Sequence, residues 1–309
     1  MAPNQETGKH AKNAETNLTM QLNPTLFIFA FGLAVVPSAL LMLYIGWQGA
    51  LRGKHHRPPI DDLPRRPAGE ALRLKLETLD EKISIELLCL NLFPAMMAIS
   101  WLGQSSHGWR TGLFFLGLTF GASAFFGGRL LRTFRTRANY RLGYEGERFV
   151  GEALNRLLNQ GFEVYHDVPF DDFNIDHVLV GTRGVFIVET KTRRMPLSAA
   201  GTKQSKVQFD GQRLLWPRGK DCCGIEQSLR NAKTLALWLG SACGEKCWVT
   251  PILTLPGWMV ERLVPHDRLH VVNPKEIRKL CLSFPEKLSE AQLTRIRHQL
   301  DQKCRLVLD

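Results

Sequence analysis

The chain has 309 residues, a formal net charge of +11 and 44% hydrophobic residues. This length allows two domains, and the positive charge suits an anionic partner, either nucleic acid or lipid head groups. Seven cysteines without a framework spacing do not suggest a secreted disulfide scaffold, and they fit a reducing compartment for the second half of the chain.

The first half of the chain predicts a membrane region. Residues 1–23 are polar and predict a disordered tail. Residues 26–47 contain no charge and are long enough to cross about 30 Å of hydrocarbon. Residues 85–102 and 111–131 are two further apolar stretches, so we expect about three transmembrane helices within residues 24–137.

The basic residues predict how this region is oriented. Eight Lys and Arg residues lie between the first and second spans, and five Arg residues lie at the end of the third span or shortly after it: Arg129, Arg132, Arg135, Arg137 and Arg141. The positive-inside tendency makes both segments cytoplasmic. We therefore expect a multi-pass protein of the cell membrane, with its N-terminus outside and its C-terminal domain in the cytoplasm.

Two shorter patterns within this region concern packing at the bilayer. Residues 69–83 combine leucines and charges at helical spacing, which predicts an interfacial amphipathic helix before the second span. Gly117-x-x-x-Gly121 in the third span suggests close helix packing and self-association into a homo-oligomer. The lipid bilayer is thus a predicted partner.

The second half begins with a helix that carries a carboxylate on its apolar face. We expect Gly143 to open this helix, with Val150 and Leu154 in its apolar stripe. Glu147 lies on that stripe, whereas Glu145 points elsewhere. A carboxylate on a buried face needs a partner; the alternative is a first-turn Glu that satisfies the amides of the helix N-terminus.

Residues 175–191 predict a tight hairpin that brings two carboxylates together. Two β-branched runs flank a break containing glycines, which allows a two-residue or a four-residue loop. Either loop places Asp176 opposite Glu189, with Lys191 on the same face. Opposed like charges are destabilising, and an all-oxygen pair suits a hard cation such as Mg²⁺. The alternative is an Asp at a strand start and an exposed Glu-x-Lys at a strand end.

The segments after this hairpin alternate between strands and helices. Arg193 and Arg194 are candidates for holding phosphate groups without reading bases, the alternative being an ordinary solvated loop. The later patterns predict a second hairpin at 207–216, a helix at 227–239, strands at 248–255 and 269–272, and helices from Pro274 onward.

Three blocks of the second half resemble a known family. Gly-Tyr-Glu-Gly-Glu at 143–147, Ile-Asp-His-Val at 175–178 and Gly-Val-Phe-Ile-Val-Glu-Thr-Lys at 184–191 occur in this order. Together they resemble the NERD (nuclease-related) domain of the PD-(D/E)XK nuclease superfamily. The resemblance implies that residues 138–309 form a restriction-endonuclease-like α/β core, a mixed sheet flanked by helices.

The resemblance also implies roles for individual residues. Asp176, Glu189 and the carbonyl of Thr190 would bind Mg²⁺ or Mn²⁺, and Lys191 and Glu147 would complete the catalytic set. Gln227, with Asn231 four residues further on, resembles a Gln-bearing helix that orients the site and contacts substrate in several branches of the superfamily.

The sequence as a whole predicts a membrane-anchored, metal-dependent nuclease. The implied substrate is nucleic acid, with DNA as the choice made by family analogy. The alternative is a non-catalytic, membrane-tethered module that binds nucleic acid or protein. An intact set of Asp176, Glu189 and Lys191 favours the enzyme over a decayed site.

Overall fold

The computed structural model describes residues 65–104, 108–196, 205–264 and 268–305. The predicted tail and the first predicted span at residues 26–47 lie outside these ranges. The chain divides into two compact units. The described part of the first unit lies within Ile85–Leu130, and the second unit contains residues 65–84 together with the chain from Leu131 onward.

Two long helices dominate the first half of the described chain. Helix α1 comprises Glu70–Leu102 and helix α2 comprises Trp109–Asn155. Among the described residues, these are the two helices long and apolar enough to cross a membrane. They contain the predicted second and third apolar stretches, residues 85–102 and 111–131, which weakly supports a membrane association.

The first unit exposes large apolar side chains on both helices. Trp109, Phe114 and Phe120 are 72%, 65% and 77% exposed. Its one buried carboxylate among the described residues, Glu86, forms an ion pair of 3.3 Å with Arg129. Apolar exposure of this extent marks a surface that contacts lipid or another protein.

The expectation that Gly143 opens a helix is wrong, because α2 is continuous from Trp109 to Asn155. The sequence from 131 to 142 contains no proline and many good helix formers, so nothing ends the helix before Gly143. A Cβ at Gly143 would lie 3.2 Å from Cδ1 of Leu72. The glycine therefore allows α1 to approach α2 within the second unit.

The predicted amphipathic helix continues directly into the second apolar stretch. Residues 70–83 form the beginning of α1 and belong to the second unit, where Ile83 is buried. Just before this helix, the backbone N–H of Arg66 donates to the carbonyl of Cys304, and its guanidinium binds Asp167. The second unit thus includes residues 65–84, which the sequence assigned to the membrane region.

A five-stranded mixed sheet forms the centre of the second unit. Its strands are β1 (Glu163–Pro169), β2 (Asn174–Gly181), β3 (Gly184–Thr190), β7 (Val249–Thr254) and β9 (His270–Val272), in the order β1-β2-β3-β7-β9. The first three strands are antiparallel, and β3, β7 and β9 are parallel. The predicted α/β class and mixed central sheet are confirmed.

Helices cover both faces of this sheet. They are α3 (Cys223–Cys243), α4 (Pro274–Ser283) and α5 (Glu290–Lys303), together with the end of α2 and a 3-10 turn at Leu158–Gln160. Val150 and Leu154 of α2 pack with Val188 on one face. Leu235 and Leu239 of α3 pack with Ile187 on the other. Coverage on both faces explains why β2 and β3 are apolar throughout.

A second, four-stranded sheet has the order β6-β5-β4-β8. It comprises β4 (Lys206–Phe209), β5 (Leu214–Leu215), β6 (Lys220–Asp221) and β8 (Met259–Arg262). Strands β4 and β5 form the predicted second hairpin around Asp210 and Gly211, and Gly211 adopts a φ of 92° that suits glycine.

Candidate active site

The hairpin of β2 and β3 places Asp176 and Glu189 together. His177 pairs with Val188 and Gly181 with Gly184, so the loop has two residues and Asp176 falls opposite Glu189. The backbone N–H of Thr190 donates to Oδ2 of Asp176 at 2.7 Å. Glu189 is only 3% exposed, which excludes the alternative of an exposed Glu-x-Lys at a strand end.

A third carboxylate belongs to the same row across the sheet. In the β1–β2 register, His166 pairs with His177 and Val168 with Ile175, which puts Asp167 opposite Asp176. Asp167 has a φ of 48°, outside the strand region for a residue with a side chain. Three carboxylates in a row would repel one another.

The protein separates Asp167 from that row by giving it partners of its own. Arg66 donates to its Oδ2 from Nη2 at 2.7 Å, and the backbone N–H of Ala71 donates to the same oxygen at 2.9 Å. Asn174 donates to Oδ1 at 2.9 Å. Asp176 and Glu189 remain as the opposed pair.

Two amide side chains of α3 hold Glu189. Nε2 of Gln227 donates to Oε2 at 3.0 Å, and Nδ2 of Asn231 donates to Oε1 at 2.6 Å. Asn231 is fully buried and lies one turn from Gln227, within the buried stripe that continues through Leu235 and Leu239. Each carboxylate oxygen keeps a further lone pair for another partner.

Glu147 reaches the same site from α2. A Cβ at Gly146 would lie 1.8 Å from Oγ1 of Thr192, so only glycine permits α2 to touch the end of β3 at this position. Burial, followed by the negative charges of Asp176 and Asp167, raises the pKa of Glu147 to about 9. Glu145, in contrast, is exposed and forms an ion pair with Arg141.

The pKa values of the opposed pair are also raised. Burial raises the pKa of Asp176 to about 7, against the opposing effects of the Thr190 N–H and the Lys191 charge. Burial and the neighbouring Asp176 raise the pKa of Glu189 well above its usual range. Unpaired buried charge is unfavourable, and a bound cation would offset it.

Lys191 lies at the open side of the site. Its Nζ is 4.0 Å from Oδ2 of Asp221, and its side chain is 38% exposed. Its backbone N–H donates to the carbonyl of Thr254, which fixes the end of β3 beside β7. The ammonium is thus available to a ligand while it still acts on Asp176.

Comparison with known families is consistent with this geometry. Residues 142–256 match the family model described as NERD, nuclease-related domain. The chain carries a NERD domain. The match contains Glu147, Asp176, Glu189 and Lys191, and it indicates a nuclease-related function.

The comparisons with individual proteins add little to the family match. No curated protein sequence matches this chain significantly. Among solved structures, the chain is similar to Pyrococcus furiosus SfsA in complex with Ca²⁺, with 14% identity and a TM-score of 0.22. The similarity covers 41% of this chain and 54% of that protein, about half of its length.

The NERD domain also contains a polar chain behind the carboxylates. Nδ1 of His177 is 2.9 Å from Nδ1 of His166, and Nε2 of His177 is 3.4 Å from Oγ1 of Thr190. Burial lowers the pKa of His166 to about 4 and that of His177 well below its usual range, so both rings are neutral. Because side chains alternate along a strand, His177 faces away from Asp176 and Glu189.

The other predicted site residues lie near the NERD carboxylates in different roles. Gln227 contacts Glu189 and therefore positions a carboxylate. Arg193 and Arg194 follow the end of β3, and their guanidinium groups donate to the carbonyls of Arg218 and Ala138. The sequence pointed to Asn231 only through its i, i+4 spacing from Gln227, and it was not predicted as a site residue. Asp167 was not predicted at all.

The ligand atoms that the NERD site offers are carboxylate oxygens, which suit a hard divalent cation. Asp176 and Glu189 supply opposed carboxylate oxygens, and their negative charges help to raise the pKa of the neighbouring Glu147. Within the described residues, no group of three or more His, Cys, Asp and Glu side chains converges as a ready-made metal cluster. The described protein thus offers a two-carboxylate pair with Glu147 beside it.

Proposed function

We propose that this protein is a membrane-anchored, metal-dependent nuclease that hydrolyses phosphodiester bonds of DNA at its NERD domain. The observation that carries the proposal is the pair of Asp176 and Glu189, opposed on one sheet face with Lys191 beside them, inside a domain of the nuclease-related family. Retaining buried like charges is unfavourable unless they bind a cation.

Each residue has a distinct task in this proposal. Asp176 and Glu189, with the carbonyl of Thr190, would hold Mg²⁺ or Mn²⁺, and such an ion supplies charge compensation for the phosphate. Gln227 and Asn231 fix the orientation of Glu189. Lys191 binds the reacting phosphate group and stabilises the negative charge that develops on it.

Glu147 and the arginines complete the proposed site. Because its pKa is raised to about 9, Glu147 holds a proton at neutral pH in the metal-free protein and can donate a hydrogen bond. The positive charges of Arg193 and Arg194 hold the nucleic-acid strand next to the scissile bond. Such contacts position the nucleic acid and carry no base sequence information.

The apolar helices support the membrane part of the proposal. The exposed aromatic side chains of the first unit suit lipid, and Gly117 and Gly121 have open space where a Cβ would point. Close approach of a second copy at these glycines would give a homo-oligomer. In this proposal the NERD domain lies in the cytoplasm and the N-terminus outside, which the basic residues after the third span favour.

A second candidate function is nucleic-acid or protein binding without cleavage. The observation that favours it is that both oxygens of Glu189 already accept hydrogen bonds from Gln227 and Asn231. A carboxylate satisfied in this way can be structural. The two candidates differ in one property, turnover in the presence of a divalent cation.

A cleavage assay on the full-length protein in detergent distinguishes them. The substrates are end-labelled single-stranded and double-stranded DNA, with Mg²⁺, Mn²⁺ or EDTA. The proposal expects products with either cation, none with EDTA, and none from Asp176→Asn with any cation. DNA binding without cleavage under every metal condition would establish the binding module instead. Cleavage by Asp176→Asn at the wild-type rate would show that the site assignment is wrong.

A further inference from the structure

A cleft of about 230 Å³ lies beside the candidate active site. It has three arginines, two tryptophans and small apolar side chains in its wall: Arg193, Arg194, Met195, Pro196, Trp216, Pro217, Arg218 and Trp258. This volume is below the roughly 300–1,000 Å³ typical of whole-cofactor pockets. It therefore suits one small planar group.

The arginines make this cleft positive. Arg193, Arg194 and Arg218 form no ion pair with a carboxylate among the described residues. The guanidinium groups of Arg193 and Arg194 donate to the backbone carbonyls of Arg218 and Ala138. Guanidinium groups that are not engaged in an ion pair are suited to phosphate, which they bind with paired N–H donors. The cleft thus combines phosphate donors with apolar walls.

The tryptophans give the cleft an aromatic floor with an unused donor. Trp216 and Trp258 pack edge to face with ring centroids 4.7 Å apart, and the guanidinium carbon of Arg193 lies 5.0 Å from the Trp216 centroid. The indole N–H of Trp258 donates to the carbonyl of Arg193. The indole N–H of Trp216 is buried and has no hydrogen-bond partner in the described part of the chain. Buried donors of this kind are uncommon.

The position of the cleft relates it to the carboxylates. Arg193 is two residues beyond Lys191, a distance that an extended chain spans in at most about 7 Å. Trp258 follows β7, whose Thr254 accepts a hydrogen bond from the Lys191 N–H. In duplex DNA, about 7 Å corresponds to the rise of two nucleotides of one strand. One strand can therefore reach both places.

We propose that this cleft binds an unpaired nucleotide next to the scissile phosphate, so that the nuclease acts on single-stranded nucleic acid. The planar guanidinium of Arg193, layered on Trp216, provides the stacking surface for the base, as Arg planes do for unstacked bases in other complexes. Arg194 and Arg218 bind the flanking phosphates. This inference rests on the proposed function, because it assigns the strand to the same site.

The composition of the cleft favours an unpaired base over a duplex. A base inside a duplex is covered on both faces by its neighbours, so entry into an enclosed cleft requires it to leave the stack. A duplex bound only by its phosphates needs exposed cationic side chains, and it makes no use of aromatic side chains at the base of a cleft. Aromatic stacking is sequence-tolerant, and the inference therefore includes no base preference.

The test measures binding by the full-length protein in detergent with EDTA, so that no strand is cut. Four fluorescent probes are compared by anisotropy or competition: a single-stranded oligothymidylate, the same backbone with abasic sites, a blunt duplex and thymidine monophosphate. We expect the oligothymidylate to bind about 10-fold more tightly than the abasic strand, from the stacking of one base. The duplex and the mononucleotide should both bind more weakly.

Three variants separate stacking from charge. Arg193→Lys keeps the charge and loses the plane, so the oligothymidylate should bind only as tightly as the abasic strand. Arg218→Ala should weaken both strands equally through the lost phosphate contact. Arg278→Ala, an exposed arginine on α4, is the matched control and should leave both affinities unchanged.

The outcomes distinguish this inference from the proposed function. Equal wild-type affinity for the normal and abasic strands, or for the duplex, would overturn the inference even if the enzyme cleaves DNA. A mononucleotide that binds as tightly as the strand would also overturn it, in favour of a free nucleotide site. Base-dependent binding that Arg193→Lys removes would support the inference even if the nuclease assay fails.

Discussion

The acidic site and the arginine cleft lie at the same end of β3 in opposite environments. Asp176, Glu189 and Glu147 are buried or partly buried, and their pKa values are raised. Arg194 and Arg218 are exposed and form no carboxylate ion pair among the described residues. Buried like charges reduce stability, whereas exposed charges are screened and change it little. Substitutions in the acidic site should therefore affect both stability and function, and substitutions in the cleft should affect binding alone.

The largest expected effect comes from neutralising one of the opposed carboxylates. Asp176→Asn and Glu189→Gln should each lower the cleavage rate by more than about 100-fold, because loss of even an outer partner of a metal ligand can cost 10–100-fold. The measurement is the initial rate on labelled DNA at saturating Mg²⁺. Asp171→Asn, an exposed carboxylate in the loop before β2, is the control and should cleave normally. Wild-type rates for both site variants would remove the acidic site from the mechanism.

Removal of the Lys191 charge should have the next largest effect. Lys191→Ala should lower the maximal rate by about 100- to 1,000-fold, the usual loss when a group that stabilises developing charge is removed. Metal affinity, measured by calorimetry, should stay close to wild type because Lys191 is not a ligand. Lys220→Ala on β6 is the exposed control. Lost metal binding together with the lost rate would give Lys191 a structural role instead.

The amide pair on α3 should matter less than the carboxylate that it holds. Gln227→Ala should weaken metal binding by about 10-fold or more, because it releases one oxygen of Glu189. The control is Gln292→Ala, which also removes an amide that donates to a carboxylate, but to that of Glu245, which is not part of the site. Metal affinity that does not change in Gln227→Ala would show that Glu189 needs no fixed orientation.

The smallest expected effect is on the free energy of unfolding. The substitution should raise it, whereas most substitutions in a site lower it. The folded pKa of Asp176 is about 7, above its unfolded value, so its stabilising protonation is complete below pH 4 and is lost as pH rises through 7. Asparagine does not ionise, so Asp176→Asn does not lose this stability as the pH rises. In EDTA it should match wild type near pH 4 and be about 1–2 kcal/mol more stable at pH 8, allowing for partial exposure. A variant less stable than wild type at pH 8 would contradict the buried-charge account.

The sequence was sufficient for the parts of the site that depend on local geometry. The hairpin of β2 and β3 is formed by neighbouring residues, so the pairing of Asp176 with Glu189 followed from strand alternation and a short loop. The placement of Gln227 near Glu189 came from family resemblance. The apolar runs on β2 and β3 are typical of a sheet covered on both faces, and helices cover both faces of this sheet.

Other features depend on contacts between distant residues, which no local pattern encodes. Asp167 joins the carboxylate row only through the β1–β2 register and leaves it through Arg66, which is 101 residues away. Gly143 was read as a helix start, because a glycine that permits close helix packing looks the same in sequence as one that ends or begins a helix. Residues 65–84 likewise join the second unit through contacts with distant residues, such as that of Arg66 with Asp167.

The most direct test of the central claim is to locate a cation in the protein. Crystals of the full-length protein grown with Mn²⁺ would show the ion by anomalous diffraction. The account predicts one peak bonded to an oxygen of Asp176 and an oxygen of Glu189, and no peak in Asp176→Asn. A peak bound elsewhere, or two carboxylates without a cation at saturating Mn²⁺, would contradict it.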